Sequence, residues 1–370
     1  MSEPIRILQV FAQMNRGGAE TMIMNLYRNI DRKKIQFDFV VHTEEVCTFD
    51  EEIRELGGKI YRVPRYIGKN HFAYKKSWEN LFKTHPKYKI IHGHVRSTAS
   101  IYLKVAKKHG ITTIAHSHNT SSGKGIQALV KNLLQYPIRF NADYMIACSK
   151  DAGKWLFGEK AIKSEKFLIL KNAIEIDKFM FDQNIRINIR KELNLDGKYV
   201  VGHVGRFHPQ KNHEFVIDVF NTFKKENNNA VLILVGEGPN RRNVQNKVEK
   251  LGLSDSVIFL GVRSDVNEIF QGMDVLLFPS RYEGLGIVII EAQATGLQSI
   301  VSENIPDEAI ITDLVTKLPL ELPTDKWVEF MLRSKNDKEI NRQKYHELIK
   351  MNGYEVKSTA LELERFYLSC

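Results

Sequence analysis

At 370 residues, 43% of them hydrophobic and 26% charged, the chain is too long for one ordinary core and reads as two globular domains. No run approaches the roughly 20 apolar residues of a membrane span; residues 1–6 lack the regions of a secretion signal, and Cys47, Cys148 and Cys370 form neither a disulfide framework nor a zinc motif, so a cytoplasmic setting is expected. The net charge of +10 is lopsided, with 30 Lys/Arg against 17 Asp/Glu in residues 1–180 and 24 against 27 in residues 181–370.

In chain order, apolar strand-like runs at 5–11, 37–41, 59–63, 90–92, 111–115 and 144–147 alternate with helical patterns. That alternation is what a parallel sheet covered on both faces requires. After the first run, Asn15-Arg16-Gly17-Gly18-Ala19-Glu20 opens a helix and offers a phosphate cradle. Its spacing fails the dinucleotide fingerprint, and no P-loop follows, which disfavours a nicotinamide enzyme or an ATPase.

Residues 62–89 are the basic maximum, eight Lys/Arg and one Glu interleaved with Tyr66, Phe72, Tyr74, Trp78, Phe82 and Tyr88. The mixture fits an anionic membrane surface or nucleic acid, and equally a solvated helix whose apolar side lies in the core. Histidines gather at two strand ends, His92-Gly93-His94 and His116-Ser117-His118-Asn119, where they can reach a substrate hydroxyl. A metal is not expected there, because a companion carboxylate and a helix-borne His pair are both missing. Nor does any Asp-x-Asp pair appear to hold Mg²⁺ on a diphosphate.

Residues 177–197 are mixed in character and read as the linker, so the domains are drawn at 1–180 and 181–354. A second series follows, with strand-like runs at 199–204, 230–235, 256–260, 275–278 and 299–301 and helices periodic at i, i+3 and i+4, for instance Phe215, Val216, Val219, Phe220 and Phe223. Its first loop, Gly205-Arg206-Phe207-His208-Pro209-Gln210-Lys211-Asn212, carries two cations able to neutralise a diphosphate, Arg206 as a planar fork and Lys211 as a point charge. Gly236 and Gly238 place flexible backbone at the same sheet edge.

The most informative stretch runs from Glu283 through Gly284-Leu285-Gly286 to Glu291, after an apolar strand. A helix beginning near Gly284 would aim unpaired N–H groups and the positive end of its dipole at a phosphate, with glycines permitting close approach. Carboxylates repel phosphate, so Glu283 and Glu291 are expected to bind hydroxyls, Glu291 those of a ribose. Residues 355–370 form a last helix that either caps the second domain or crosses back to the first.

Together Gly17-Gly18-Ala19-Glu20, Ile114 to Asn119, Leu170-Lys171-Asn172-Ala173-Ile174, Gly205-Arg206 with Lys211-Asn212, and Glu283 to Glu291 with Ala292-Gln293-Ala294 resemble glycosyltransferase family 4, above all its bacterial exopolysaccharide and capsule members. The resemblance implies the GT-B fold, an α/β architecture of two Rossmann-like doubly wound domains facing a central cleft. It implies a retaining, metal-independent transfer from a nucleotide-diphosphate sugar, UDP-linked by family habit, with no cofactor.

By position, Arg206 and Lys211 would hold the diphosphate beside Gly205 and Gly236, and Gly284, Leu285 and Gly286 would cap its phosphates. Glu291 would bind the ribose and Glu283 the donor sugar's hydroxyls. Gly17 and Gly18 would let the first loop approach, and His116 or His118 would contact the reacting sugar. The implied acceptor is a glycan, often polyprenyl-diphosphate-linked, which with the basic stretch at 62–89 suggests a protein peripheral on the inner membrane face; nucleic acid is not expected. Alternatives are a soluble transferase making a small glycoside or glycolipid, or a non-catalytic nucleotide-sugar-binding protein of the same fold.

Overall fold

The computed structural model describes residues 3–120, 126–336 and 341–370. The chain divides into two compact units, residues 1–174 with 355–370, and residues 175–354. The boundary drawn at 180/181 therefore moves to 174/175, and residues 355–370 belong to the first unit.

The first unit runs β1 (Ile5–Phe11), α1 (Gly18–Asn29), β2 (Ile35–Val41), α2 (Asp50–Glu55), β3 (Ile60–Arg62), α3 (His71–Thr84), β4 (Ile90–Gly93), α4 (Arg96–Lys108), β5 (Thr112–Ser117), α5 (Ile126–Gln135), α6 (Ile138–Asn141), β6 (Tyr144–Ala147), α7 (Lys150–Phe157) and β7 (Phe167–Ile169). The strands form one parallel sheet in the order β3-β2-β1-β4-β5-β6-β7. All seven residues of β2 are buried, as a strand covered on both faces demands. One face packs α1 and Ile53 of α2; the other packs Tyr74, Trp78 and Phe82 of α3 with Tyr88, α4, α6 and α7. Tyr74, Trp78, Phe82 and Tyr88 of the basic stretch thus lie in the core, while Phe72 is 86% exposed.

The second unit continues with α8 (Gln183–Glu192), β8 (Tyr199–Val204), α9 (His213–Glu226), β9 (Ala230–Val235), α10 (Arg241–Lys250), β10 (Val257–Gly261), α11 (Val266–Gly272), β11 (Val275–Phe278), α12 (Ile287–Ala294), β12 (Ser299–Ser302), β13 (Val315–Leu318), α13 (Thr324–Asn336) and α14 (Lys344–Met351). Its parallel sheet has the order β10-β9-β8-β11-β12-β13. The expected linker at 177–197 instead contains α8, fastened by Arg186 and Arg190, which reach Asp274 at 2.5 and 3.4 Å. Asp274 in turn accepts from the Val200 N–H at 2.7 Å, so the segment is anchored to the sheet rather than slack.

The chain then re-enters the first unit through a parallel bridge between Ile174 and Glu355 and ends in α15 (Val356–Ser369). Val356, Ala360, Leu363 and Tyr367 of α15 join the core on the α1 face.

In both sheets the strand order reverses at the middle, between β1 and β4 and between β8 and β11. Connections leave such a switch point toward opposite faces, which opens a crevice at the carboxyl ends of the two strands. The Gly17-Gly18 loop after β1, the His92-Gly93-His94 end of β4 and the loops after β8 and β11 lie at these switch points.

Candidate active site

In the second unit the loops after β8 and β11 are stitched together. Arg281 donates its backbone N–H to the Gln210 carbonyl and Gln210 Nε2 donates to the Tyr282 carbonyl, each at 2.8 Å. Lys211 Nζ lies 2.7 Å from Glu283 Oε1 and 4.5 Å from the centre of the Phe278 ring. Both partners are shielded, and a charged hydrogen bond is stronger where water is scarce.

Arg206, in contrast, is exposed and makes no hydrogen bond or ion pair among the described residues. Gly236 (φ +135°) passes so close to this loop that a Cβ would collide with the Gly205 carbonyl oxygen, so the approach needs glycine twice over. His213 stacks on Phe207 at 4.0 Å, and burial holds its imidazole neutral, down at about 2. His213 was assigned no role from sequence; its part is to support the loop.

The helix expected near Gly284 starts three residues later, at Ile287. Gly286 occupies the cap position with φ +87°, a left-handed conformation that glycine adopts at no steric cost, and no side chain caps the helix. Leu285 is buried, so its side chain braces the turn and only its backbone is available to a ligand. Glu291 stands half-buried on α12. Burial pushes its carboxyl up to about 8, opposed by the charge of Lys211, so at neutral pH it is largely protonated. Arg206, Lys211, Glu283, Gly284, Gly286 and Glu291 thus gather around one strand-end crevice.

In the first unit, Gly17 caps α1 in an extended conformation, and a Cβ on Gly18 would meet nothing within 4 Å. The open space above Gly18 leaves room for a ligand atom. At the ends of β4 and β5, four imidazoles form a pile: His92 and His116 are 5.2 Å apart and 10° from parallel, and His116 and His118 are 4.0 Å apart. Burial lowers all four, to about 3 for His92 and His118 and well below the usual value for His94 and His116.

Held neutral, these rings form a directed chain of hydrogen bonds. Gln9 Oε1 lies 2.9 Å from His94 Nε2, so that nitrogen carries the proton and His94 Nδ1 accepts from His118 Nε2 at 2.8 Å. Gln9 Nε2 donates to Tyr367 Oη at 3.0 Å, and Tyr367 donates to His92 Nδ1 at 2.6 Å. Neither nitrogen of the buried His116 has a partner among the described residues. Ligand nitrogens of His92, His94 and His116 lie within 4.8 Å of one another. His92 and His116 are 10° from parallel, whereas His94 is tilted from them by 30° and 40°. Sequence reading missed Gln9 and Tyr367; a glutamine within the buried part of β1 was the available signal.

Comparison with known proteins fits this geometry. Residues 185–349 match the family model "Glycosyl transferases group 1", and residues 16–178 match "Glycosyltransferase Family 4". EpsF of Bacillus subtilis (strain 168), which carries a glycosyltransferase name, is 33% identical over 98% of this chain and 96% of its own. An Escherichia coli UDP-Gal:alpha-D-GlcNAc-diphosphoundecaprenol alpha-1,3-galactosyltransferase is 25% identical over 72% of each chain. The crystal structure of Anabaena Alr3699/HepE in complex with UDP-glucose superposes with a TM-score of 0.79, at 18% identity, over 99% of this chain and 100% of its own. With a third of its residues shared with EpsF over nearly the full length, this chain belongs to glycosyltransferase family 4 and is a glycosyltransferase of the GT-B fold.

Proposed function

We propose that the protein transfers a sugar, with retention and without a metal, from a UDP-sugar to a lipid-linked glycan acceptor in exopolysaccharide or capsule assembly. The observation that carries this reading is the strand-end cluster of the second unit, where unpaired Arg206 and the Lys211–Glu283 pair stand beside the uncapped start of α12. Departure of a nucleoside diphosphate builds charge on its phosphates, and two cations with a helix terminus can stabilise that charge in place of a divalent ion. Lys211 has three donors, so its Nζ can keep Glu283 and still serve a phosphate oxygen.

In this reading Gly205 and Gly236 keep side chains out of the diphosphate path, the backbone of Gly284, Leu285 and Gly286 caps the phosphates, Glu291 takes the ribose and Glu283 the sugar hydroxyls. In the first unit, Gly17 and Gly18 would leave room for a ligand, and either His116 or His118 would contact a sugar hydroxyl. Retention rests on family membership. The donor and acceptor named for the Escherichia coli relative, and UDP-glucose in the Anabaena structure, support a UDP-sugar and a diphosphate-lipid acceptor. The reading also places the protein in the cytoplasm, at the membrane face where such acceptors reside.

The test is thermal stabilisation by UDP, GDP, ADP and CMP in EDTA, for the native chain and Glu291→Ala. A ligand at about 100 times its dissociation constant adds roughly 2.7 kcal/mol. A shift selective for UDP, present in EDTA and lost in the variant, is expected. No shift with any nucleotide, or turnover abolished by EDTA, would count against the proposal.

A further inference from the structure

Gln9 is a polar side chain in a place built for an apolar one. It is fully buried in β1, level with His92 of β4, and alternation sets it on the same face as Ile7 and Phe11, in the core shared with α1 and α15. Burying an amide is unfavourable unless both of its ends are bonded, and here both are: the nitrogen donates to Tyr367 and the oxygen accepts from His94.

From the nitrogen end the bonds run through Tyr367 to His92, and from the oxygen end through His94 to His118. Each branch finishes at a shielded nitrogen without a partner among the described residues, His92 Nε2 and His118 Nδ1. His92 is 0% exposed, whereas His118 is half-buried, so the His118 end is the one within reach of a solute. A shielded acceptor forfeits a hydrogen bond until a ligand brings the donor.

The direction of the amide decides what that end offers. Tyr367, whose proton goes to His92, accepts from the Gln9 nitrogen, which turns the Gln9 oxygen to His94 Nε2. His94 Nδ1 is then an acceptor, and His118 must carry its proton on Nε2, leaving a bare lone pair on Nδ1. With the amide turned around, every proton along the branch would reverse and Nδ1 would become a donor. Burial, helped by the charge of Arg96, holds His118 neutral, down at about 3, so near pH 7 the ring has one proton and its tautomer sets its chemistry. His116 stacks on His118 at 4.0 Å, but it is 1% exposed and bonded through neither nitrogen among the described residues, so it packs the ring without orienting its proton.

We infer that Gln9 is a positioning residue that acts through His94 to lock His118 in the Nε2–H tautomer, so that His118, rather than His116, meets the sugar, as a hydrogen-bond acceptor at Nδ1. This rests on the reading that a sugar hydroxyl meets the histidine pair, and it names the ring, the atom and the residues that set it.

The experiment is heteronuclear NMR of the full chain with isotope-labelled histidine, in EDTA, assigned with His116→Phe and His118→Phe. Nitrogen–proton couplings within each ring show which nitrogen carries the proton. In the native chain His118 is expected to be neutral with the proton on Nε2. Whichever of UDP-glucose, UDP-galactose and UDP-N-acetylglucosamine gives the largest thermal shift should move the His118 Nδ1 resonance, and UDP should not.

Gln9→Met keeps the length of the side chain and removes both hydrogen bonds. It should leave His118 as a mixture of tautomers and lower the preference for that UDP-sugar over UDP, read as the ratio of their dissociation constants, by roughly three- to tenfold, the worth of one hydrogen bond. His94→Phe keeps the stacking on Phe11 and cuts the same branch, so it should do likewise. Ile35→Ala, in the same core at the first residue of β2, should lower stability and leave tautomer and preference unchanged, which separates positioning from support of the fold.

The inference is overturned if native His118 is anything but the Nε2–H tautomer, if the UDP-sugar moves His116 and leaves His118, or if Gln9→Met keeps both tautomer and preference. Should Gln9→Met fail to fold, the native tautomer and His94→Phe decide. UDP binding that persists through any of these failures leaves the donor reading standing. If no nucleotide binds, the donor reading fails, and the tautomer, which needs no ligand, still shows whether Gln9 sets the ring.

Discussion

Replacing Glu291 with glutamine should stabilise the ligand-free second unit, and increasingly so as pH rises. The carboxyl is raised from 4.5 to about 8, chiefly by burial. Below pH 4.5 both folded and unfolded chains hold the proton, and the group contributes nothing to pH dependence. Between 4.5 and 8 the unfolded chain releases the proton while the folded chain keeps it, so stability falls with rising pH; above 8 the penalty is complete. Each pH unit in that window is worth about 1.36 kcal/mol, so the full penalty has an upper bound of about 5 kcal/mol and is nearer half of that for a side chain that water still reaches.

Glutamine has nearly the same shape and no proton to lose, so Glu291→Gln should show a flat contribution across the window. Urea unfolding at pH 5 and pH 8.5, with hydrogen exchange of the β8–β13 amides to isolate the second unit, gives the comparison. The stability difference between variant and native chain should grow by about 2–4 kcal/mol between the two pH values. Parallel curves would show that Glu291 is ionised in the folded protein. Above pH 8, where the carboxyl is ionised, the same variant should also weaken UDP binding, because an amide presents one acceptor oxygen where the carboxylate presents two.

Two further outcomes follow from the first unit. Tyr367→Phe removes the hydroxyl that bonds Gln9 and His92, and should cost about 1–3 kcal/mol in that unit, read as a lowered urea midpoint with an unchanged m-value. Gly18→Ala meets no protein atom and should leave thermal unfolding unchanged while raising KM several-fold; an unaltered KM would show that no ligand approaches there.

The sequence reading succeeded where local pattern and tertiary environment coincide. The runs at 5–11 and 199–204 are strands with those same limits, because each is mostly apolar and mostly buried, as a strand covered on both faces requires. β7 and β13 were missed because they are edge strands of three and four residues, mostly half-exposed, and carry no such run. Residues 177–197 resembled a linker because α8 buries only Ile189 and is held by Arg186 and Arg190 instead.

The clustering of Lys211 with Glu283 was legible as two motifs at neighbouring strand ends, but their direct 2.7 Å pairing was not. The histidine chain was legible only in part, since Gln9 and Tyr367 stand 358 residues apart and meet through the return of α15. The exposure of Leu129 and Leu133 on α5 could not be read at all, because an apolar stripe on a helix looks the same in sequence whether or not it faces the core.

That return has a consequence for how the protein is made. Domains emerging from the ribosome ordinarily fold in order, amino-terminal first. Here the first-made half must wait with the groove beside α1 open, because Val356, Ala360, Leu363 and Tyr367 are synthesised only after the whole second unit. Nascent chains stalled before residue 355 should therefore carry a folded second unit attached to an amino-terminal half that proteases still cut, and chaperones would meet that half as their substrate even though it was translated first.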